Sequence, residues 1–85
     1  MTLEEIYATY EVLKKEGYSK ERLFCATCQM FLNDQMDIVE LRDAIKVLGY
    51  KLSEELLKED VNRQKALITN YIKAFAIEYN IDEFK

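Results

Sequence analysis

Residues 22–32 read RLFCATCQMFL, and this stretch decides the fold because its side chains are apolar on almost every side of a helix. Both cysteines of the chain, Cys25 and Cys28, lie within it. A helix that is apolar all round is usually buried on most of its sides. The stretch therefore predicts a central helix covered by the rest of the chain. The alternative is that one face of this helix meets another protein.

The residues on either side of this stretch predict further helices. The chain has no proline and only two glycines, so it offers few of the turn residues that a β-sheet requires. Apolar residues recur at helical spacing over 3–16, 20–32, 37–48 and 53–79. Each range begins at or just after a residue that favours the N-cap position of a helix: Thr2, Ser19, Asp37 and Ser53. Asp37 opens a capping box with Glu40, and Asp34 is the alternative cap for the third helix. Gly17 and Gly49, each followed by a tyrosine, are expected to end two of these helices in the left-handed conformation.

These boundaries predict one all-α domain over residues 1–85. We expect a small four-helix domain built from two helix hairpins, with a long C-terminal helix. An unbroken helix over 53–79 would be about 40 Å long, and a break near 60–62 is the alternative. Asn80 is expected to end this helix, so that residues 81–85 form a short tail.

The spacing of the two cysteines raises the question of a redox or metal site. A thioredoxin-like pair stands at the start of a helix that follows a strand, whereas Cys25 lies several residues inside a predicted helix. A structural zinc site needs four ligands, and the chain has no histidine and no other cysteine. The sequence therefore favours two thiols packed in the core, with no metal and no cofactor. A thiol or metal site shared across a dimer is the alternative.

The charge and the residue types argue against catalysis and against nucleic-acid binding. Sixteen acidic residues outnumber twelve basic ones, and the densest basic cluster, around residues 14–22, is diluted by acids. The chain lacks histidine, and its two serines, Ser19 and Ser53, are both expected at helix starts. We therefore expect no enzyme and no catalytic residues. Residues 37–68 fit a helix-turn-helix-like hairpin, which leaves a nucleic-acid-binding regulator as the alternative function.

No apolar run approaches the roughly 18 residues of a membrane span. The first residues, MTLEEIY, carry acids where a signal peptide carries bases. We therefore expect a cytoplasmic protein that makes no membrane contact.

A second apolar edge near the C-terminus predicts a surface for a partner. We assign to this candidate partner surface Met30, Ala74, Ile77, Ile81 and Phe84. The expected function is a non-catalytic protein–protein interaction module, a small adaptor or inhibitor that acts through a helical face. Its partner is an unknown protein or a second copy of the chain, which makes a homodimer possible.

Overall fold

A computed structural model describes residues 2–85 and contains five α-helices and a short 3₁₀-helix. They are α1 (Leu3–Lys15), α2 (Lys20–Leu32), α3 (Ile38–Lys46), α4 (Glu54–Lys58), α5 (Val61–Glu78) and the 3₁₀-helix Asp82–Phe84. No β-strand occurs in the described residues, so the predicted all-α class is confirmed. The fourth predicted helix, however, is two helices.

All five α-helices begin in the same way, with a side-chain oxygen that accepts a hydrogen bond from the backbone amide three residues later. The capping residues are Thr2, Ser19, Asp37, Ser53 and Asp60. At α3 the pairing is reciprocal, because Glu40 also accepts from the backbone N–H of Asp37 at 3.2 Å. A cap of this kind stabilises a helix by about 1 kcal/mol, so polar residues fix where each helix starts.

Four of the helices also end in the same way, with one residue in the left-handed conformation. These residues are Gly17, Asp34, Gly49 and Asn80, with φ of 97°, 61°, 94° and 55°. In each case the next residue donates its backbone N–H to a carbonyl five residues back, at 2.9–3.2 Å. This arrangement satisfies carbonyl groups that a helix end otherwise leaves without a donor. The two predicted glycine caps are therefore confirmed.

The corner between α4 and α5 replaces the continuous helix predicted over 53–79, so that expectation was wrong. Asp60 is extended and its Oδ1 accepts from the backbone N–H of Arg63 at 2.9 Å, which starts a new helix. Gln64 is only 3% exposed, and its Nε2 donates to the carbonyls of Leu56 and Leu57 at 3.2 and 3.4 Å. The break thus lies close to 60–62, which was the alternative that the sequence analysis left open.

Helix α2 lies at the centre of the fold, as its apolar character predicted. It packs most extensively against α5 and then against α3, and α1 packs against α3. No side chain from residue 21 to residue 32 is exposed. The rest of the chain therefore covers α2. The alternative, in which one face of this helix meets another protein, is not needed to explain its apolar character.

A buried polar pair joins α1 to α2. The hydroxyl oxygens of Tyr10 and Thr27 are 2.6 Å apart. Thr27 donates its own proton to the carbonyl of Leu23 at 2.7 Å, so Tyr10 is the donor in the pair. Burial raises the pKa of Tyr10. The pair fixes the position of α1 on the central helix.

The two members of this pair should respond unequally to substitution. In Thr27→Val the buried hydroxyl of Tyr10 has no acceptor, which we expect to lower the free energy of unfolding by about 1–3 kcal/mol. In Tyr10→Phe the hydroxyl of Thr27 keeps its bond to Leu23, and we expect a loss of about 1 kcal/mol. Urea denaturation of both variants and of the double variant measures the coupling. Strictly additive losses would show that the two hydroxyls do not interact, and equal losses in the two single variants would contradict the assigned direction of the bond.

Candidate interaction surface

The C-terminal segment, residues 81–85, folds back onto the domain instead of forming a free tail. Ile81 is 6% exposed, and Phe84 is half-buried against the core. Glu83 holds Arg22 of α2 through two contacts, to Nε at 2.5 Å and to the terminal nitrogen at 2.7 Å. The hydrogen bond to Glu83 raises the pKa of Arg22. The segment therefore belongs to the covering of α2 and α5.

The five residues predicted as a partner surface differ in their exposure. Ala74 and Ile77 are exposed on α5, and Ile77 is 73% exposed. Met30 and Phe84 are half-buried and pack against the core. The placement of Ile81 on an exposed edge was wrong. The left-handed turn at the preceding residue reverses the chain and directs Ile81 into the core.

An uncharged strip runs along the outward side of α5. Its residues Ala66, Asn70, Ala74 and Ile77 follow one another at spacings of four, four and three, so they share one side of the helix. All four are exposed. None of these four side chains carries a charge, and the exposed charged residues Arg63, Lys73 and Glu78 border them on the same helix. We call these four residues the α5 outer face.

A cluster of aromatic rings reaches from the core to the surface beside α5. The ring of Phe24 lies 4.7 Å from that of Tyr50 and 4.4 Å from that of Phe75. Tyr79 extends the cluster and is 46% exposed. Tyr79 and Val61 continue the apolar spacing of α5, but both are exposed because they lie at its two ends.

Sequence reasoning missed a small hollow at the corner between α3 and α4. Its volume is about 130 Å³, and it is more enclosed than the broader depression bordered by residues 79–83. The lining residues are Arg42, Lys46, Tyr50, Lys51, Leu52, Glu54 and Leu57. We call it the cationic hollow. The available signal was Arg42 and Lys46 four residues apart, which places them on one side of α3.

Both thiols lie in the core. Cys25 and Cys28 are unpaired and 0% exposed. Burial raises the pKa of Cys25 to about 11 and also raises that of Cys28. Both are therefore protonated at neutral pH, whereas the thiolate is the form that binds metals and attacks disulfides. A zinc site shared across a dimer would require these side chains at the surface.

Neither a cluster of metal ligands nor a long second helix in the hairpin over 37–68 occurs within residues 2–85. Within residues 2–85, no three His, Cys, Asp or Glu residues stand close enough together to hold a metal ion. The helix-turn-helix-like hairpin over 37–68 has a second helix, α4, of only five residues. Its first turn presents Glu54 and Glu55, which would repel phosphate groups.

Comparisons of this chain with protein-family models, with curated proteins and with solved structures each found no match. The fold and its exposed groups therefore define the molecule only as a small all-α domain. Among the described helices, none is long and apolar enough to cross a membrane.

Two isoleucines four residues apart test the fold-back of the C-terminal segment. Ile81→Ala removes a buried side chain and should lower the free energy of unfolding by about 2–4 kcal/mol. Ile77→Ala, on the exposed α5 outer face, should change it by less than about 0.5 kcal/mol. Chemical denaturation of both variants gives the comparison. Equal small losses would show that residues 81–85 do not pack on the domain.

The burial of the thiols predicts slow labelling in the native state. Reaction of Cys25 and Cys28 with Ellman's reagent should require opening of the fold and be slowed on the order of 10³-fold relative to the chain in urea. Single variants Cys25→Ala and Cys28→Ala assign the two rates. Fast labelling of either residue in the folded protein would refute its place in the core.

Proposed function

We propose that this chain is a non-catalytic protein–protein interaction module, a small adaptor or inhibitor that binds its partner through the α5 outer face. The observation that carries the proposal is the uncharged, exposed strip on α5, with Ile77 at 73% exposure. Its two alanines keep the helix surface low, so the backbone of a partner can approach closely. Ile77 then supplies the apolar side chain that anchors such a contact.

The degree of exposure of Ile77 distinguishes this face from other exposed apolar positions. Single exposed hydrophobic residues are common on protein surfaces and need no explanation. Val12 on α1 is 56% exposed, but its exposed neighbours include Glu11 and Lys15. Ile77 also has charged exposed neighbours, Lys73 and Glu78. At 73% it is, however, the most exposed large hydrophobic residue within residues 2–85, and it continues a row of uncharged exposed residues on α5, which favours a surface that is covered when a partner binds.

The residue types also support a role without catalysis. The hydroxyl oxygens of Ser19 and Ser53 cap α2 and α4, and the thiols are buried and protonated. The chain has no histidine to act as a base at neutral pH. Two free cysteines also fit a reducing compartment, so we place the protein in the cytoplasm. The partner is another protein or a second copy of this chain.

Site-specific cross-linking tests the proposal. A photoreactive phenylalanine analogue at position 77 should give a covalent adduct of defined mass in the native host, because a partner covers that face. The same analogue at position 12 is the matched control and should give none. Ile77→Asp should abolish capture of the same partner, while Val12→Asp should preserve it.

Light scattering separates the two kinds of partner. An adduct of twice the chain mass, with a dimer in solution that Ile77→Asp dissociates, identifies a second copy. The proposal fails if position 77 gives no adduct, the chain is a strict monomer and pull-downs find no protein.

A further inference from the structure

We infer that the cationic hollow binds an acidic side chain, aspartate or glutamate, on a peptide segment of a protein partner. The inference rests on the proposed interaction function and adds the chemistry of the partner. A hollow of about 130 Å³ admits one side chain and not a helix. The site is therefore an anchor point for a single residue.

The charge of the hollow is opposite to that of the whole chain. Arg42, Lys46 and Lys51 line it with only one carboxylate, that of Glu54. The chain as a whole has a net charge of −4. Local charge of this sign attracts an anionic group and orients a partner that carries one. The hollow is therefore a cationic site on an acidic protein, and it favours an acidic side chain.

The cationic side chains of the hollow have hydrogen-bond donors without acceptors in the part of the chain that the structure describes. Lys46 and Lys51 are exposed, and neither forms a salt bridge with any carboxylate in residues 2–85. Arg42 donates Nε to Asp43 Oδ1 at 3.0 Å. Its terminal nitrogens have no acceptor within the described part of the chain. An incoming carboxylate therefore gains hydrogen bonds without displacing existing ones.

The rest of the wall is apolar and held in place. Leu52 is buried, and Leu57 and Tyr50 are half-buried. The ring of Tyr50 packs at 5.5 Å from that of Phe75 and belongs to the aromatic cluster described above. A wall fixed by packing needs little rearrangement when a ligand enters. Its apolar surface suits the methylene groups of a glutamate.

These features favour a peptide over a nucleic acid. A nucleic-acid strand carries a phosphate at every nucleotide and must be neutralised along its length. Beyond the hollow, α4 and its end present Glu55 and Glu59, both exposed, which would repel a continuing phosphate chain. A peptide can place one carboxylate in the hollow and continue with uncharged residues.

Nuclear magnetic resonance titration of the full chain tests the inference. The probe is the acetylated, amidated tetrapeptide Leu-Glu-Glu-Leu, and its matched control is Leu-Gln-Gln-Leu. The acidic peptide should shift the amide signals of residues 42–57, less at high salt, and the neutral peptide should not. Inorganic phosphate, a phosphoserine peptide and a single-stranded oligonucleotide are titrated in parallel.

Charge variants locate the binding. Lys46→Gln and Lys51→Gln should each lower the affinity for the acidic peptide by up to roughly fivefold. Lys15→Gln, in the last turn of α1, is the control and should have no effect. Glu54→Gln removes the single carboxylate of the hollow and should tighten binding, whereas Glu55→Gln in the same turn should not. A merely structural role for these side chains would not produce the gain.

Several results overturn the inference. The first is that the acidic peptide shifts no amide signals. The second is that the two lysine substitutions leave its affinity unchanged. The third is that phosphate, the phosphopeptide or the oligonucleotide binds more tightly than the acidic peptide. These outcomes are distinct from failure of the proposed function. If the chain cross-links through position 77 but does not bind acidic peptides, the proposed function is supported and the inferred site is refuted.

Discussion

Helix α2 has to be kept out of water on nearly all its sides, and the elements packed against it serve that requirement. Six of its thirteen side chains are buried, and none after Lys20 is exposed. An 85-residue chain has little material for such a covering, since small domains bury a smaller share of their surface than large ones. The covering is completed by α3, α5 and the C-terminal segment. The fold-back of residues 81–85 is thus a consequence of the same constraint as the packing of α5.

Short helices arranged around a central one require sharp, well-defined reversals. The chain makes them with polar caps at helix starts and left-handed residues at helix ends, and uses no proline. Because these signals are local, the sequence predicted most of them: the start of α3 at its capping box, both glycine caps and the end of α5 at Asn80. The boundaries of α1 and α2 follow from the same residues, and the all-α class follows from their sum.

What the sequence could not predict depends on contacts between distant residues. The corner at Asp60 is held by Gln64, whose side chain reaches back to the carbonyls of α4; a glutamine in an apolar stripe gives no sign of this. Ile81 looked like an exposed apolar residue because burial cannot be read from spacing once a helix has ended. The cationic hollow escaped notice because Lys51 lies outside any helix, and only the turn after α3 brings it beside Arg42 and Lys46.

The surfaces proposed for binding use residues that the core does not need. Ile77 and the two lysines of the hollow are exposed, so their substitution should leave stability nearly unchanged. In a domain with a thin stability margin, substitution of a buried residue of α2 lowers the folded population and therefore lowers every activity together. Function can be separated from folding only at side chains outside the covering of α2. The α5 outer face and the cationic hollow lie on different elements, which allows one surface to be altered while the other is kept. A loss of binding confined to one of them then reports recognition and not folding.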